Sequence, residues 1–160
     1  MKQKLVQGNL TFRRLDTNDN IPYDLLLLAD ETKEAINKYI HDSEIFLGEY
    51  RNEAIAVYVL QPVDKDVIEI RNIAVRKDYQ GQGIGKRLLE EAAAKATARG
   101  FKTIIIGTGD ASTRQLDFYQ REGYVVFDRR KRFFLENYPE PIYENGVQLK
   151  DMVMLRKELR

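Results

Sequence analysis

The sequence predicts a single α/β (α+β) domain with a mixed, mostly antiparallel, twisted sheet of about seven strands flanked by helices. The length of 160 residues fits one domain with one core. Short strand-like runs separated by brief polar turns indicate antiparallel hairpins. A strand-like run at 67–75 is followed by a helical pattern and a second strand-like run at 102–107, an order typical of a parallel crossover.

The N-terminal half predicts one strand, two short helices and an antiparallel meander. Pro22 suits the first turn of a helix, and the leucine run after it is interpreted as core or lid. The polar residues 51–53 give hairpin spacing between two strand-like runs. The predicted elements are a strand at 10–15, helices at 23–28 and 32–40, and strands at 44–50, 54–61 and 67–75.

The C-terminal half predicts two further helices between the remaining strands. Gly100 and Gly123 stand where these helices would end, and Ser112 is placed to cap the second one. Residues 135–148 contain two prolines and show no clear periodicity. The predicted elements are helices at 83–99 and 112–122, and strands at 102–107, 124–134 and 151–155.

Composition excludes several classes of function. Lys plus Arg total 26 against 25 Asp plus Glu, so charge gives no case for nucleic-acid or membrane-surface binding. Cysteine is absent, which excludes disulfides and a thiol nucleophile. Neither residues 1–7 nor any later window has a long apolar run, so we expect a soluble, cytoplasmic protein. His41 is the single histidine, and we expect no metal cofactor.

A glycine-rich stretch at 80–85 joins the strand 67–75 to the helix 83–99. Glycines let backbone N–H groups turn toward a ligand, and a helix N-terminus adds unpaired donors and a positive dipole end. Lys86 and Arg87 follow in the first helical turn, where the dipole disfavours each exposed cation by ~0.3–1 kcal/mol. A bound polyanion would explain this placement. The stretch therefore predicts a phosphate cradle; the alternative is a glycine-rich turn with a solvated basic flank.

Spacing excludes two common phosphate loops. A P-loop requires glycine at position 80 and Ser or Thr after Lys86, whereas Gln80 and Arg87 stand there. A dinucleotide fingerprint requires Gly-x-Gly-x-x-Gly, whereas the glycines in this stretch alternate at 81, 83 and 85. The cradle is therefore expected to belong to another class of phosphate site.

The loop resembles the acetyl-CoA loop of the GCN5-related N-acetyltransferase (GNAT) superfamily. That loop is written Gln/Arg-x-x-Gly-x-Gly/Ala, and Gln80, Gly83 and Gly85 match it. The preceding residues 72–75 and the later residues 117–124 also resemble consecutive pieces of the GNAT fold.

The resemblance implies one N-acetyltransferase domain over 1–160, with a core at about 9–127 and a C-terminal strand–loop–strand at 124–158. Such a domain would transfer the acetyl group of acetyl-CoA to a primary amine by direct attack in a ternary complex, without an acyl-enzyme. Two alternatives stay open. One is a catalytically inactive acyl-CoA-binding sensor or interaction module, and the other is an anion-binding domain unrelated to CoA.

The resemblance also implies where acetyl-CoA binds. The pantetheine arm would pair like an extra strand with the backbone at the end of 67–75, and the pyrophosphate would lie on the glycine loop. Ser112 stands where the superfamily usually has a pantetheine-binding asparagine, and Gln115 where it usually has alanine. The positions implied for acetyl-CoA are Ile73, Ala74, Val75, Gln80, Gly81, Gln82, Gly83, Ile84, Gly85, Lys86 and Ser112.

Two residues are implied for catalysis. Tyr119 stands where the superfamily commonly has a tyrosine that protonates the CoA thiolate; the alternative is a helix tyrosine packed in the core. Glu69 matches the catalytic glutamate of histone-acetylating members and is our first choice for the general base, since neighbouring isoleucines would partly desolvate it. An ion pair with Arg71 is its structural alternative, and Glu49 is a second candidate base.

The C-terminal tail gives the only indication of the acceptor. Residues 133–144 combine aromatic side chains with three glutamates and follow a strand expected beside the transfer site. Both groups attract ammonium, with cation–π contacts worth ~0.5–2 kcal/mol. We therefore expect a small-molecule amine or lysine-like acceptor, with no nucleic-acid or membrane partner. The alternative is a surface excursion or a subunit contact in a homo-oligomer.

Overall fold

A computed structural model describes residues 8–160, so the features expected of residues 1–7 lie outside the described part of the chain. Nine strands are present in that part: β1 (Thr11–Arg14), β2 (Glu44–Tyr50), β3 (Glu53–Pro62), β4 (Val67–Val75), β5 (Thr103–Gly109), β6 (Val125–Arg130), β7 (Tyr143–Glu144), β8 (Val147–Gln148) and β9 (Met152–Glu158). Seven of them form one sheet in the order β1-β2-β3-β4-β5-β9-β6, while β7 pairs with β8. The β4–β5 pair is parallel and the other pairs of the sheet are antiparallel. The mixed, mostly antiparallel sheet predicted from the sequence is confirmed.

Helices cover the central strands on both faces of the sheet. They are α1 (Tyr23–Leu26), α2 (Lys33–Asn37), α3 (Ile84–Ala98), α4 (Thr113–Arg121) and α5 (Phe133–Asn137), with short 3₁₀ turns at Ile40–Asp42 and Lys77–Tyr79. The first two helices are shorter than predicted, while α3 and α4 lie within one residue of their predicted bounds. No helix within residues 8–160 is both long and apolar enough to cross a membrane.

The centre of the sheet is buried on both faces. Residues 55–60 of β3 are all fully buried, and alternation along the strand directs neighbouring side chains into two different cores. One core lies against α3 and contains Tyr58 and Leu88. The other lies against α1 and α2 and contains Leu26 and Val59.

Leu88→Ala should destabilise the fold, because Leu88 is fully buried in the core between α3 and the sheet. We expect the free energy of unfolding in urea to fall by ~2–5 kcal/mol from lost apolar contact and the cavity left behind. Leu28→Ala is the matched control, since Leu28 is 41% exposed, and its effect should stay below ~1 kcal/mol. Equal losses in the two variants would contradict the assignment of Leu88 to the core.

The predicted strand 124–134 is wrong beyond Arg130. Arg132 adopts the left-handed conformation, with φ of 60°, and its backbone N–H donates to the Asp151 carboxylate at 2.8 Å. A strand cannot continue through that backbone, and α5 begins at the next residue. Strand β9 fills the space between β5 and β6, and it extends to Glu158, further than the predicted end at 155.

Residues 135–148, which show no clear periodicity in the sequence, contain the β7–β8 hairpin. Asn145 and Gly146 both have positive φ and form the turn that joins β7 to β8, which is the common Asn-Gly hairpin. A small apolar cluster of Phe134, Ile142 and Leu149 holds the tail together. The tail is therefore packed against the end of the sheet.

Candidate active site

Strands β4 and β5 separate halfway along their length. They pair only from Val67–Ile70 to 103–106, after which β5 pairs with β9 alone. The β3–β4 register shifts at the same level, which leaves Arg71 as the extra residue of a bulge, and bulges bend the strand that carries them. The end of β4, including Ile73, Ala74 and Val75, therefore borders a gap in the sheet with no strand of residues 8–160 paired on its β5 side.

The glycine-rich loop lies directly after β4, where α3 begins. Gly81 and Gly83 have φ of 76° and 81°, a conformation that side chains rarely adopt. Gly83 is the N-cap of α3, provides no side-chain cap, and is followed by a first turn without an acidic residue. Gly85 lies in the helix, where a Cβ would meet the Phe118 ring at an ordinary 3.5 Å. The loop and the start of α3, called the cradle below, therefore join β4 to a helix N-terminus with two glycines at positive φ.

Gln80 connects the cradle to the end of β4, which borders the gap. Its side-chain Nε2 donates to the carbonyl oxygen of Val75 at 2.8 Å, so this side chain is committed to holding the end of β4. Lys86 is exposed and forms no ion pair with a residue of 8–160. Arg87, one residue later, pairs with Glu91 at 3.6 Å. Lys86 is thus the cation of the first turn that remains available to a ligand.

Tyr119 is buried in α4, on the face of the sheet that α3 covers. Its ring packs against Phe118 and Tyr124, at centroid distances of 5.6 and 6.2 Å. Burial raises the pKa of Tyr119 to about 12. The hydroxyl forms no hydrogen bond with a residue of 8–160.

Ser112 does not cap α4 with its side chain, which corrects the prediction. It occupies the N-cap position, but its hydroxyl donates to the Glu144 carboxylate at 2.7 Å. Ser112 is 3% exposed, and Glu144 reaches it from the β7–β8 hairpin. The hydroxyl is therefore already engaged by the tail in this structure.

Glu69 is buried on the opposite face of the sheet from Tyr119. Its neighbours on β4, Ile68 and Ile70, point into the α3 core, so alternation places Glu69 on the other side. Its carboxylate is 7% exposed and lies 3.7 Å from Arg71 Nη1 and 3.8 Å from Arg130 Nη2. The ion pair with Arg71, expected as the structural alternative, is present, and Arg130 of β6 contributes a second guanidinium that was not predicted.

A family model, the Acetyltransferase (GNAT) family, matches residues 13–124. The chain is 42% identical over 144 residues to the N-acetyltransferase YvbK of Bacillus subtilis (strain 168), a match that covers 90% of this chain and 92% of that protein. The chain belongs to the GNAT acetyltransferase family. It is therefore an acetyl-CoA-dependent N-acetyltransferase, and the superfamily inferred from the loop is confirmed.

Solved structures of related enzymes resemble this GNAT enzyme closely. A GNAT acetyltransferase from Elizabethkingia anophelis with acetyl-CoA bound is 48% identical, with a TM-score of 0.92, and the match covers 94% of this chain and 99% of that one. A Bacillus subtilis acetyltransferase in complex with CoA is 39% identical, with a TM-score of 0.86 and the same coverage. The similarity therefore extends beyond the glycine loop to nearly the whole chain.

The second candidate base, Glu49, lies outside the gap region. Glu49 is on β2, separated from β4 by β3, and its carboxylate pairs with Arg13 at 3.3 Å. The structure does not bring it together with Tyr119 or Glu69. No group of three or more His, Cys, Asp or Glu side chains within residues 8–160 is arranged to hold a metal ion.

The sequence did not reveal a polar network beside Glu69. Asn72 of β4 donates to the Tyr39 hydroxyl at 3.1 Å, and Tyr39 donates to Asp30 at 3.1 Å. The Tyr138 hydroxyl also donates to Asp30, at 2.5 Å. Tyr138 and Asp30 are 108 residues apart in sequence, so no local pattern could have paired them.

Proposed function

We propose that acetyl-CoA lies across the cradle and the gap, with its pyrophosphate on residues 80–86 and its pantetheine arm along the open edge of β4. The observation that carries this placement is that the cradle and the gap adjoin at the end of β4, where Gln80 holds the Val75 carbonyl. Backbone N–H groups at a helix N-terminus favour phosphate, and an open strand edge favours an extended ligand. The thioester would then lie between β4 and β5.

The two proposed catalytic side chains lie on opposite faces of the sheet, and this arrangement suits direct attack. Tyr119 is on the α3 face and Glu69 is on the α1 and α2 face. An amine entering from the Glu69 face would reach the carbonyl carbon while the sulfur departs toward Tyr119. No side chain needs to carry the acetyl group.

The transfer balances with these groups alone. The acceptor ammonium loses a proton to a base, and the neutral nitrogen bonds to the carbonyl carbon. The backbone at the end of β4 donates to the oxyanion, and loss of such a donor typically costs ~10²–10³ in rate. The C–S bond then breaks, the sulfur takes the phenol proton of Tyr119, and the nitrogen releases its remaining extra proton, which restores the phenol.

Tyr119 is suited to donate this proton although its acidity is low. Burial raises its pKa to about 12, so the phenol stays protonated at any working pH. A thiol with a reference pKa of ~8.5 would not draw a proton from it in water. Exclusion of water from the site also destabilises the CoA thiolate and raises the pKa of its thiol. The pKa values of the thiol and the phenol are then closer to each other.

Glu69→Gln tests the general base. If Glu69 takes the ammonium proton, the variant should use only amine that is already neutral, so kcat/KM should fall at pH values below the pKa of the amine and recover above it. A pH–rate profile with one good amine measures this. Arg130→Gln is the control, because it removes one partner of the same ion pair and keeps the carboxylate.

If Glu69 serves only to hold the two guanidinium groups, Glu69→Gln and Arg130→Gln should lower the melting temperature alike and leave the shape of the profile unchanged. An acidic limb that persists in Glu69→Gln would assign the base to another group.

The acceptor is a primary amine, and we propose that it carries a positive charge. The acceptor face holds the aromatic rings of Tyr39 and Tyr138 and the carboxylate of Asp30, all of which attract ammonium groups. The tail glutamates contribute less than the sequence suggested, because Glu144 is engaged by Ser112. Release of CoA from acetyl-CoA across a panel of cationic and neutral primary amines, with the acetylated product verified by mass, tests this proposal.

A further inference from the structure

Asp30 is a carboxylate that is organised by neutral donors alone. It lies between α1 and α2 and is half-buried. Its Oδ1 accepts from the Tyr138 hydroxyl at 2.5 Å and from the backbone N–H of Glu31 at 2.8 Å, while its Oδ2 accepts from the Tyr39 hydroxyl at 3.1 Å. No Lys or Arg within residues 8–160 pairs with it. Three hydrogen bonds therefore fix the direction of a negative charge that has no counter-ion among residues 8–160.

Arg71, the cation that contacts the Tyr39 ring, is already committed elsewhere. The guanidinium of Arg71 lies over the Tyr39 ring, 4.6 Å from its centroid, but it pairs with Glu69 at 3.7 Å and donates to Gln61 at 3.2 Å. Arg130 pairs with the same glutamate. Both guanidinium groups thus pair with Glu69, and no cation of residues 8–160 pairs with Asp30.

The network that holds Asp30 reaches the gap in the sheet. Tyr39 links Asp30 to the side-chain amide of Asn72, which lies on the segment of β4 that has no β5 partner. Asn72 is 5% exposed, and its Oδ1 is buried with no hydrogen-bond donor from residues 8–160. A buried acceptor without a donor costs free energy, so this oxygen is a second group that an incoming N–H would satisfy.

Asp30 also connects the two segments that border the acceptor face. Tyr138 comes from the C-terminal tail, where its ring stacks on Phe134 at a centroid distance of 5.9 Å, while Tyr39 lies in the α2 region. Burial raises the pKa of both phenols, so each remains a donor over the working pH range. The carboxylate is therefore held by two phenol hydroxyls that come from different segments of the chain.

We propose that Asp30 binds a protonated amino group of the acceptor, which makes the substrate a diamine or a lysine-like amine with a second positive charge. The inference rests on the proposed function, in which the acceptor approaches from this face. The nitrogen that attacks the thioester must be neutral, whereas the nitrogen held by Asp30 stays protonated, so two nitrogens are required. An ammonium group would be a counter-ion for Asp30. Its charged N–H groups would also be possible donors to Asn72 Oδ1.

A set of matched variants and substrates tests the proposal. A linear diamine and the monoamine of the same chain length are compared as acceptors at saturating acetyl-CoA. Asp30→Asn should lower kcat/KM for the diamine ~10–100-fold, mainly through KM, with little change for the monoamine. Asp30→Glu, which keeps the charge, should retain the diamine preference.

Two controls separate recognition from structure. Glu31→Gln removes the adjacent, exposed carboxylate and should leave the diamine preference unchanged. Tyr138→Phe removes one of the three hydrogen bonds to Asp30 but keeps the carboxylate, so the diamine preference should fall by less than in Asp30→Asn. Higher salt should reduce the diamine preference of the wild-type enzyme, a readout that needs no variant to fold.

Several results would overturn the inference. A wild-type enzyme that uses the diamine and the monoamine equally well would contradict it. So would an Asp30→Asn variant in which kcat/KM falls by the same factor for both substrates. Tyr138→Phe reproducing the loss seen in Asp30→Asn would assign Asp30 a purely structural role. A wild-type enzyme that releases no CoA with any amine would overturn the proposed function and this inference together.

Discussion

Tyr119→Phe should lower kcat by ~10²-fold or more and leave acetyl-CoA affinity close to that of the wild type. The substitution keeps the ring in its core, against Phe118 and Tyr124, and removes only the hydroxyl. Because that hydroxyl forms no hydrogen bond within residues 8–160, the free enzyme loses no interaction, and the loss should appear only when sulfur leaves. Steady-state kinetics with one good amine and titration with acetyl-CoA measure the two quantities separately.

Tyr124→Phe is the matched control for this prediction. Tyr124 is a buried tyrosine of the same core, its ring lies 6.2 Å from that of Tyr119, and its hydroxyl has no hydrogen-bond partner. Its removal should leave kcat near the wild-type value. Since burial raises the pKa of Tyr119 to about 12, the wild-type enzyme should also show no loss of kcat from this phenol below that pH. Wild-type turnover in Tyr119→Phe would remove Tyr119 from the mechanism.

Gly83→Asp should weaken acetyl-CoA binding by ~10²-fold or more, because a carboxylate would stand where the cradle receives phosphate. Gly83 has φ of 81° at the N-cap of α3, and Asn and Asp are the non-glycine residues that tolerate this conformation best. Gly83→Asn therefore imposes the same strain and nearly the same volume without the charge. Calorimetric titration with acetyl-CoA should show a much larger loss of affinity in Gly83→Asp than in Gly83→Asn.

Gly85→Ala is a second control within the same loop. A Cβ there meets the Phe118 ring at 3.5 Å, which is ordinary contact, so affinity should stay close to the wild type. Equal affinities in Gly83→Asp and Gly83→Asn would show that the loop binds no phosphate.

The parts of the site that follow from local sequence were predictable. The glycine-rich loop joins β4 to the start of α3, as its position in the sequence predicted, and Gly81 and Gly83 adopt the positive φ that glycine allows. The helix α3 and strand β4 have the periodicities of buried elements, so their bounds were predicted closely. These features depend on residues that are neighbours in the chain.

The parts that depend on distant contacts were not predictable. Arg132 ends β6 because Asp151 binds its backbone N–H, and nothing near position 132 indicates this. The second guanidinium on Glu69 comes from β6 across two intervening strands, and Asp30 receives Tyr138 from the far end of the chain. One local signal, the Asn-Gly turn at 145–146, was present in the sequence and was missed.

The initial-velocity pattern of the wild-type enzyme tests direct transfer most directly. Rates of CoA release are measured over a matrix of acetyl-CoA and amine concentrations, with the amine chosen from the panel. Direct attack in a ternary complex predicts CoA release that requires the amine, and double-reciprocal lines that intersect. Parallel lines, or a burst of CoA release from acetyl-CoA without amine, would indicate an acyl-enzyme and would contradict direct transfer across the gap between β4 and β5.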